Sequence, residues 1–160
     1  MMKKCALAAA LVVLGLTHVD ADEVADITAR SGWATYPTDQ SFDALVDAAR
    51  AAARDVGLVV VTQAGPTGAA ARRGIDIPGN RVIGVFNNDF AVRVLRLSTA
   101  AMIEAPVRVY VTENADGSAT LSYKLPSTVF APYIPDAPEL AVVAAELDGL
   151  FAELATIATD

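Results

Sequence analysis

Arg108 and Tyr110 stand two residues apart in Val107-Arg108-Val109-Tyr110-Val111-Thr112, where valines alternate with polar residues. Period-two alternation marks a half-buried strand, so guanidinium and phenol project from the face opposite the valines. With Tyr133 on the Pro-punctuated arm that follows, they predict a pocket for an anionic or amphipathic ligand. In it Arg108 would grip the anion through two parallel N–H bonds. The competing reading is an outward Arg108 paired at the surface with Glu104 or Glu113. Tyr123 lies in the next run, on the face of Leu121 and Leu125, and completes the expected ligand-binding set. Ser122, Tyr123 and Lys124 have the residue types for proton transfer. Neighbours on a strand point to opposite faces, however, so no catalytic residue is expected there.

Other groups carry weaker signals. Asn88 and Asp89 follow an apolar run and read as a helix cap, with Asn88 kept as a ligand contact. Trp33, the one Trp, suits either ligand stacking or packing at a sheet rim. Arg72-Arg73 lacks the strand–loop–helix spacing of a phosphate loop. Glu113, Asn114 and Asp116 fit turn chemistry better than a cation site, and no Asp-x-Asp-x-Asp spacing suggests a calcium loop.

The one Cys and the one His, Cys5 and His18, both fall in the first 21 residues. Lys3-Lys4, an apolar run over 5–16 and Val19-Asp20-Ala21 form a secretory leader pattern, cut after Ala21. The apolar run is shorter than the roughly 20 residues a bilayer requires. Cleavage would leave 22–160, read as one α+β domain, without thiol or imidazole. That excludes disulfides, Cys or His catalysis and the usual zinc, copper and haem ligand sets, so no metal and no cofactor is expected. The chain carries 12 basic and 19 acidic residues, net −7, and loses Lys3, Lys4 and Asp20 with the leader. Such an acidic domain is repelled by nucleic acid and anionic lipid, so neither nucleic acid nor membrane is an expected partner after cleavage. The expected compartment is the periplasm.

Several elements must position these groups. Ala29–Tyr36 reads as a first strand weakened by Gly32. Thr38 to Ser41 offer caps for a helix whose apolar points are Phe42, Leu45, Val46, Ala49, Ala53 and Val56, closed by Gly57. Leu58–Thr62 is a β-branched run, predicted as a strand buried on both faces or central under helices. Residues 64–80 are irregular, with a short helix over 68–73. A strand over 81–86 leads to a helix over about 90–102 whose apolar points are Val92, Leu95, Leu97 and Met102. Two strands, 107–112 and 119–125, form a hairpin around Asp116-Gly117. Pro126, Pro132, Pro135 and Pro138 predict an irregular packed arm. A last helix from Pro138 carries Leu140, Val143, Leu147, Leu150, Leu154 and Ile157 in a narrow seam. The order β-α-β-β-α-β-β-α predicts an α+β fold, a mainly antiparallel sheet covered by helices.

Phe86-Asn87-Asn88-Asp89, Ile103–Tyr110, Thr112–Gly117 and Leu121-Ser122-Tyr123 before Pro126 resemble the bacterial domain-of-unknown-function family numbered 302. The resemblance covers about residues 31–158. It implies a compact α+β domain with an antiparallel sheet and a homodimer, and it brings no reaction or catalytic residue. Members carry Gly-Asn-Pro after the middle strand. Here Asn87-Asn88-Asp89 stands there, and only Asn88 matches.

The expected function is an exported, non-enzymatic module binding a small molecule or a protein. One alternative is a carboxylate/Tyr hydrolase or isomerase, which needs two of Glu104, Glu113, Asp116 and Tyr123 to converge. Another is a structural dimer with an apolar outer face on the last helix.

Overall fold

The computed structural model describes residues 24–160; the leader pattern, with Cys5 and His18, lies outside the described residues. Five strands form one antiparallel sheet: β1 Trp33–Thr38, β2 Val59–Ala64, β3 Asn80–Phe86, β4 Val107–Glu113 and β5 Ala119–Lys124, in the order β1-β5-β4-β3-β2. The helices are α1 Phe42–Asp55, α2 Thr67–Ala71, α3 Asn88–Leu97, α4 Pro126–Phe130 and α5 Leu140–Thr159, with 3₁₀ turns at Ala101–Glu104 and Ala131–Tyr133. The α+β class and the antiparallel sheet are as the sequence predicts.

The hairpin aligns the strands on which the site depends. Gly117 takes φ 84°, Asp116 Oδ1 accepts from the Ser118 N–H, and the strands then pair Val111 with Leu121 and Val109 with Tyr123. Those four residues face the helices, together with Ile83 and Val85. Leu45, Ala49, Ala52 and Ala53 of α1 and Phe151, Leu154, Ala155 and Ala158 of α5 meet them in one buried core. A second cluster joins Val94, Ala101, Phe130, Leu140, Val143, Ala144 and Leu147 around the outer half of α5.

Along α5 the buried points Leu140, Val143, Leu147, Phe151, Leu154 and Ala158 average 3.6 residues per step. This is a straight helix lying on a sheet. The predicted seam ran through Leu150 and Ile157, but Ile157 is exposed and Phe151 takes the inward place.

Other expectations need correcting. β2 is an edge strand, not a buried one, with Val59 and Val61 59% and 49% exposed and a register shift between Val60 and Thr62. Its β-branched residues reflect strand propensity without burial. β1 starts at Trp33 because Gly32 takes φ 74°. α3 ends at Leu97; Val92 and Leu95 face outward, and Val94 makes the buried contact. The Pro-rich arm is not wholly irregular, since Pro126 opens α4 at a position where its missing N–H costs nothing. Thr120 and Ser122 are buried in the inner strand β5. Ahead of β1, Asp26 Oδ1 accepts from the Ala115 N–H. Trp33 pairs with Lys124 at the opposite end of β5, so the leading segment doubles back along the sheet to the hairpin tip.

Candidate functional site

The face turned away from α1 and α5 carries a row fixed by strand register. Val82 stands opposite Tyr110, Tyr110 opposite Ser122 and Ser122 opposite Thr35, while Lys124 sits opposite Trp33 at one end. Beside this row lies a half-open cleft of about 380 Å³. It is lined by the charged and polar side chains of Glu104, Arg108, Lys124, Asn80 and Tyr110, by Trp33 and Tyr123, and by the apolar Val82, Val107 and Val129.

The polar groups are held by specific bonds. Asn80 Nδ2 donates to the Tyr110 hydroxyl oxygen, which leaves the Tyr110 O–H free to donate into the cleft. Tyr133 donates to Glu104 Oε1 at 2.7 Å, and this bond raises the Tyr133 pKa, because the protonated phenol is the donor. Arg108 Nη2 lies 4.0 Å from Glu104 Oε2, the limit of an ion pair, with the Arg108 side chain 60% exposed. Lys124 Nζ and Arg30 Cζ lie 5.8 Å and 5.3 Å from the centre of the Trp33 ring system, within cation–π reach.

Of the residues singled out in the sequence, Arg108 and Tyr110 line the cleft together. Tyr133 reaches it through Glu104. Tyr123 borders it, but its ring is turned into the core, 5.2 Å from Phe151 in an edge arrangement and stacked at 6.1 Å on Tyr36. Its hydroxyl lies 3.4 Å from that of Tyr36, and burial pushes its pKa up. Asn88 lies elsewhere, exposed in the first turn of α3; the cap is Asn87, whose Oδ1 accepts from the Asp89 and Phe90 N–H groups. Trp33, Asn80 and Lys124 belong to the cleft and were not assigned to it from sequence. Alternation places Lys124 on the Arg108 side once the hairpin register is fixed, so it could have been found. Asn80 could not, because its partner comes from a separate strand.

A carboxylate/Tyr enzyme needs two of Glu104, Glu113, Asp116 and Tyr123 within hydrogen-bond reach; Glu104 and Tyr123 line the same cleft, but each is bonded to a different partner. Glu113 accepts from the Gly79 N–H at 2.6 Å, Asp116 from Ser118, and Tyr123 meets Tyr36, while Glu104 is taken by Tyr133. Thr35 Oγ1, Ser122 Oγ and Thr112 Oγ1 on the same sheet face are buried without a hydrogen-bonding partner among the described residues.

The family model described as "Domain of unknown function DUF302" matches residues 34–155. The chain belongs to the DUF302 family. The DUF302 match begins one residue after Trp33 and runs through most of α5, so every cleft-lining residue except Trp33 lies inside it. A crystal structure of an uncharacterized conserved DUF302 protein from Bacillus stearothermophilus superposes with a TM-score of 0.72 at 17% identity, covering 82% of this chain and 100% of that one. At that identity the likeness concerns the DUF302 fold. No curated protein matches the sequence.

Proposed function

We propose that this DUF302 chain is an exported, non-enzymatic module that binds a small molecule in the cleft between Trp33 and Arg108. One observation carries the reading: a concave site of about 380 Å³ combines apolar walls with a few oriented polar groups, the composition of a ligand pocket. Its side chains are arranged for holding rather than reacting. Glu104 is engaged by Tyr133, and Tyr110 is fixed by Asn80. Export to the periplasm rests on the leader pattern over residues 1–21. Loss of that leader removes Cys5 and His18, and with them thiol and imidazole chemistry.

Thermal-shift and native mass spectrometry with fractionated periplasmic extract test the reading. A ligand at a hundred times its Kd adds about 2.7 kcal/mol of stability, readily seen as a raised Tm. The expected result is a fraction that raises Tm and a matching mass adduct. No shift and no adduct would end it.

The second reading, a homodimer, is favoured by one feature. Val142, 61% exposed, lines a shallow groove between α3 and α5 with Leu97 and Val143, flanked by Arg93, Arg96 and Glu139. Light scattering at micromolar concentration should give twice the chain mass; a monomer would remove this reading.

A further inference from the structure

Resting on the small-molecule reading, the geometry points to a ligand class: a monoanion with an apolar body, its acid group between Arg108 and Lys124. The charged residues lining the cleft are Arg108, Lys124 and Glu104. Two cations against one carboxylate leave one positive charge facing the cavity, in a chain whose formal net charge is −7. Glu104 does not cancel Arg108 closely, since the pair is at 4.0 Å while Tyr133 holds the other oxygen of the same carboxylate. A second acid group on a ligand would therefore meet no counter-charge.

The remainder of the lining sets the body of the ligand. Val82, Val107, Val129 and the Trp33 ring offer apolar surface, which favours hydrocarbon and penalises a further charge. The Tyr110 hydroxyl, already accepting from Asn80, has its own proton to give, and an acid oxygen is a suitable acceptor. The volume equals about a dozen waters at ~30 Å³ each, room for a carboxylate with a medium-length chain or a single ring.

Octanoate is the probe, compared with octanamide, octylamine and suberate. These keep the chain and replace the acid by a neutral amide, by a cation, or by two acids at opposite ends. Trp33, the one tryptophan, lines the cleft and reports binding by fluorescence, with calorimetry alongside. The expected result is saturable octanoate binding, at least tenfold weaker binding of the other three, and loss of that preference in Arg108→Gln. The Arg108 side chain is 60% exposed, so R108Q should fold with an unchanged urea midpoint. Tyr110→Phe, which keeps the ring, should weaken octanoate several-fold and octylamine not at all.

Octanamide binding as tightly as octanoate, or octanoate affinity unchanged in R108Q, would overturn the monoanion assignment and leave the small-molecule reading standing. Failure of every probe at millimolar concentration would also overturn it. The small-molecule reading itself falls only if the periplasmic extract yields no adduct as well.

Discussion

Phe151→Ala tests whether α5 is fastened to the sheet through one ring. Phe151 is fully buried and meets the Tyr123 ring edge-on at 5.2 Å. It also borders a gap of about 30 Å³ shared by Val85, Val107, Phe130 and Leu147, where the two buried clusters meet. Truncation removes the ring's transfer energy and leaves a cavity beside an existing void, so collapse is hindered on that side. Phe→Ala changes of this kind cost about 3–5 kcal/mol. A domain has only about 5–15 kcal/mol in total, so the variant should fold but lose a large share of its stability. With a urea slope of about 2 kcal/mol/M, the midpoint should fall by roughly 1.5–2.5 M with the slope unchanged. Equilibrium urea unfolding, followed by Trp33 fluorescence and by circular dichroism, reads this directly. Val142→Ala on the exposed side of α5 should move the midpoint by less than about 0.5 kcal/mol equivalent. A loss below about 1 kcal/mol for Phe151→Ala would refute the placement of Phe151 as the link between sheet and helix.

Ser122→Ala should stabilise by about 1 kcal/mol, because it removes a buried hydroxyl with no partner; a lowered Tm would show that the hydroxyl is satisfied in solution. Asn87→Ala should cost about 1 kcal/mol in urea unfolding, since it strips two N–H groups at the start of α3 of their acceptor, whereas Asn88→Ala should be nearly neutral. The Tyr133 phenol has its folded pKa raised by Glu104, so the folded state holds that proton more tightly than the unfolded chain does. Its contribution is full below the unfolded pKa near 10 and is lost as pH rises through the higher folded value. Wild type minus Tyr133→Phe stability, measured from pH 8 to 11.5, should shrink at the alkaline end; a difference that grows there would contradict the bond.

The hairpin, α1 and the helix-facing valines were legible because local signals agreed with the final packing. Ser41 caps α1, Gly57 ends it at φ 77°, and Val109 and Val111 turn inward together. Arg108 and Tyr110 were placed correctly on one face by the same alternation. Edge or centre was not legible, because Val59-Val60-Val61 has the same composition in either place and the choice depends on which strand pairs next to it. Tyr123 lines the cleft but has a second role that its spacing does not reveal. Alternation put it opposite Arg108, which is right, but only the tertiary contact with Phe151 shows that its face is the filled one. The inward phase was missed at Val94 in α3 and at Phe151 and Ala158 in α5, because in α5 the neighbouring Leu150 and Ile157 offer equally apolar points to the same periodic pattern. The Asn80–Tyr110 and Glu104–Tyr133 bonds join residues about thirty positions apart, and no spacing rule reaches that far.

The interrupted pairing at Val60 and Thr62 has a consequence for crowding between molecules. β2 offers its free margin to solvent with branched aliphatic residues and, from Val59 to Ala64, no charge and no proline to repel a newcomer. The kink there disturbs the even cadence of outward amides and carbonyls, so an incoming strand can zip along only a few residues before its ladder falls out of step. On β2 the feature that opposes lateral strand addition is thus this register shift and not side-chain charge.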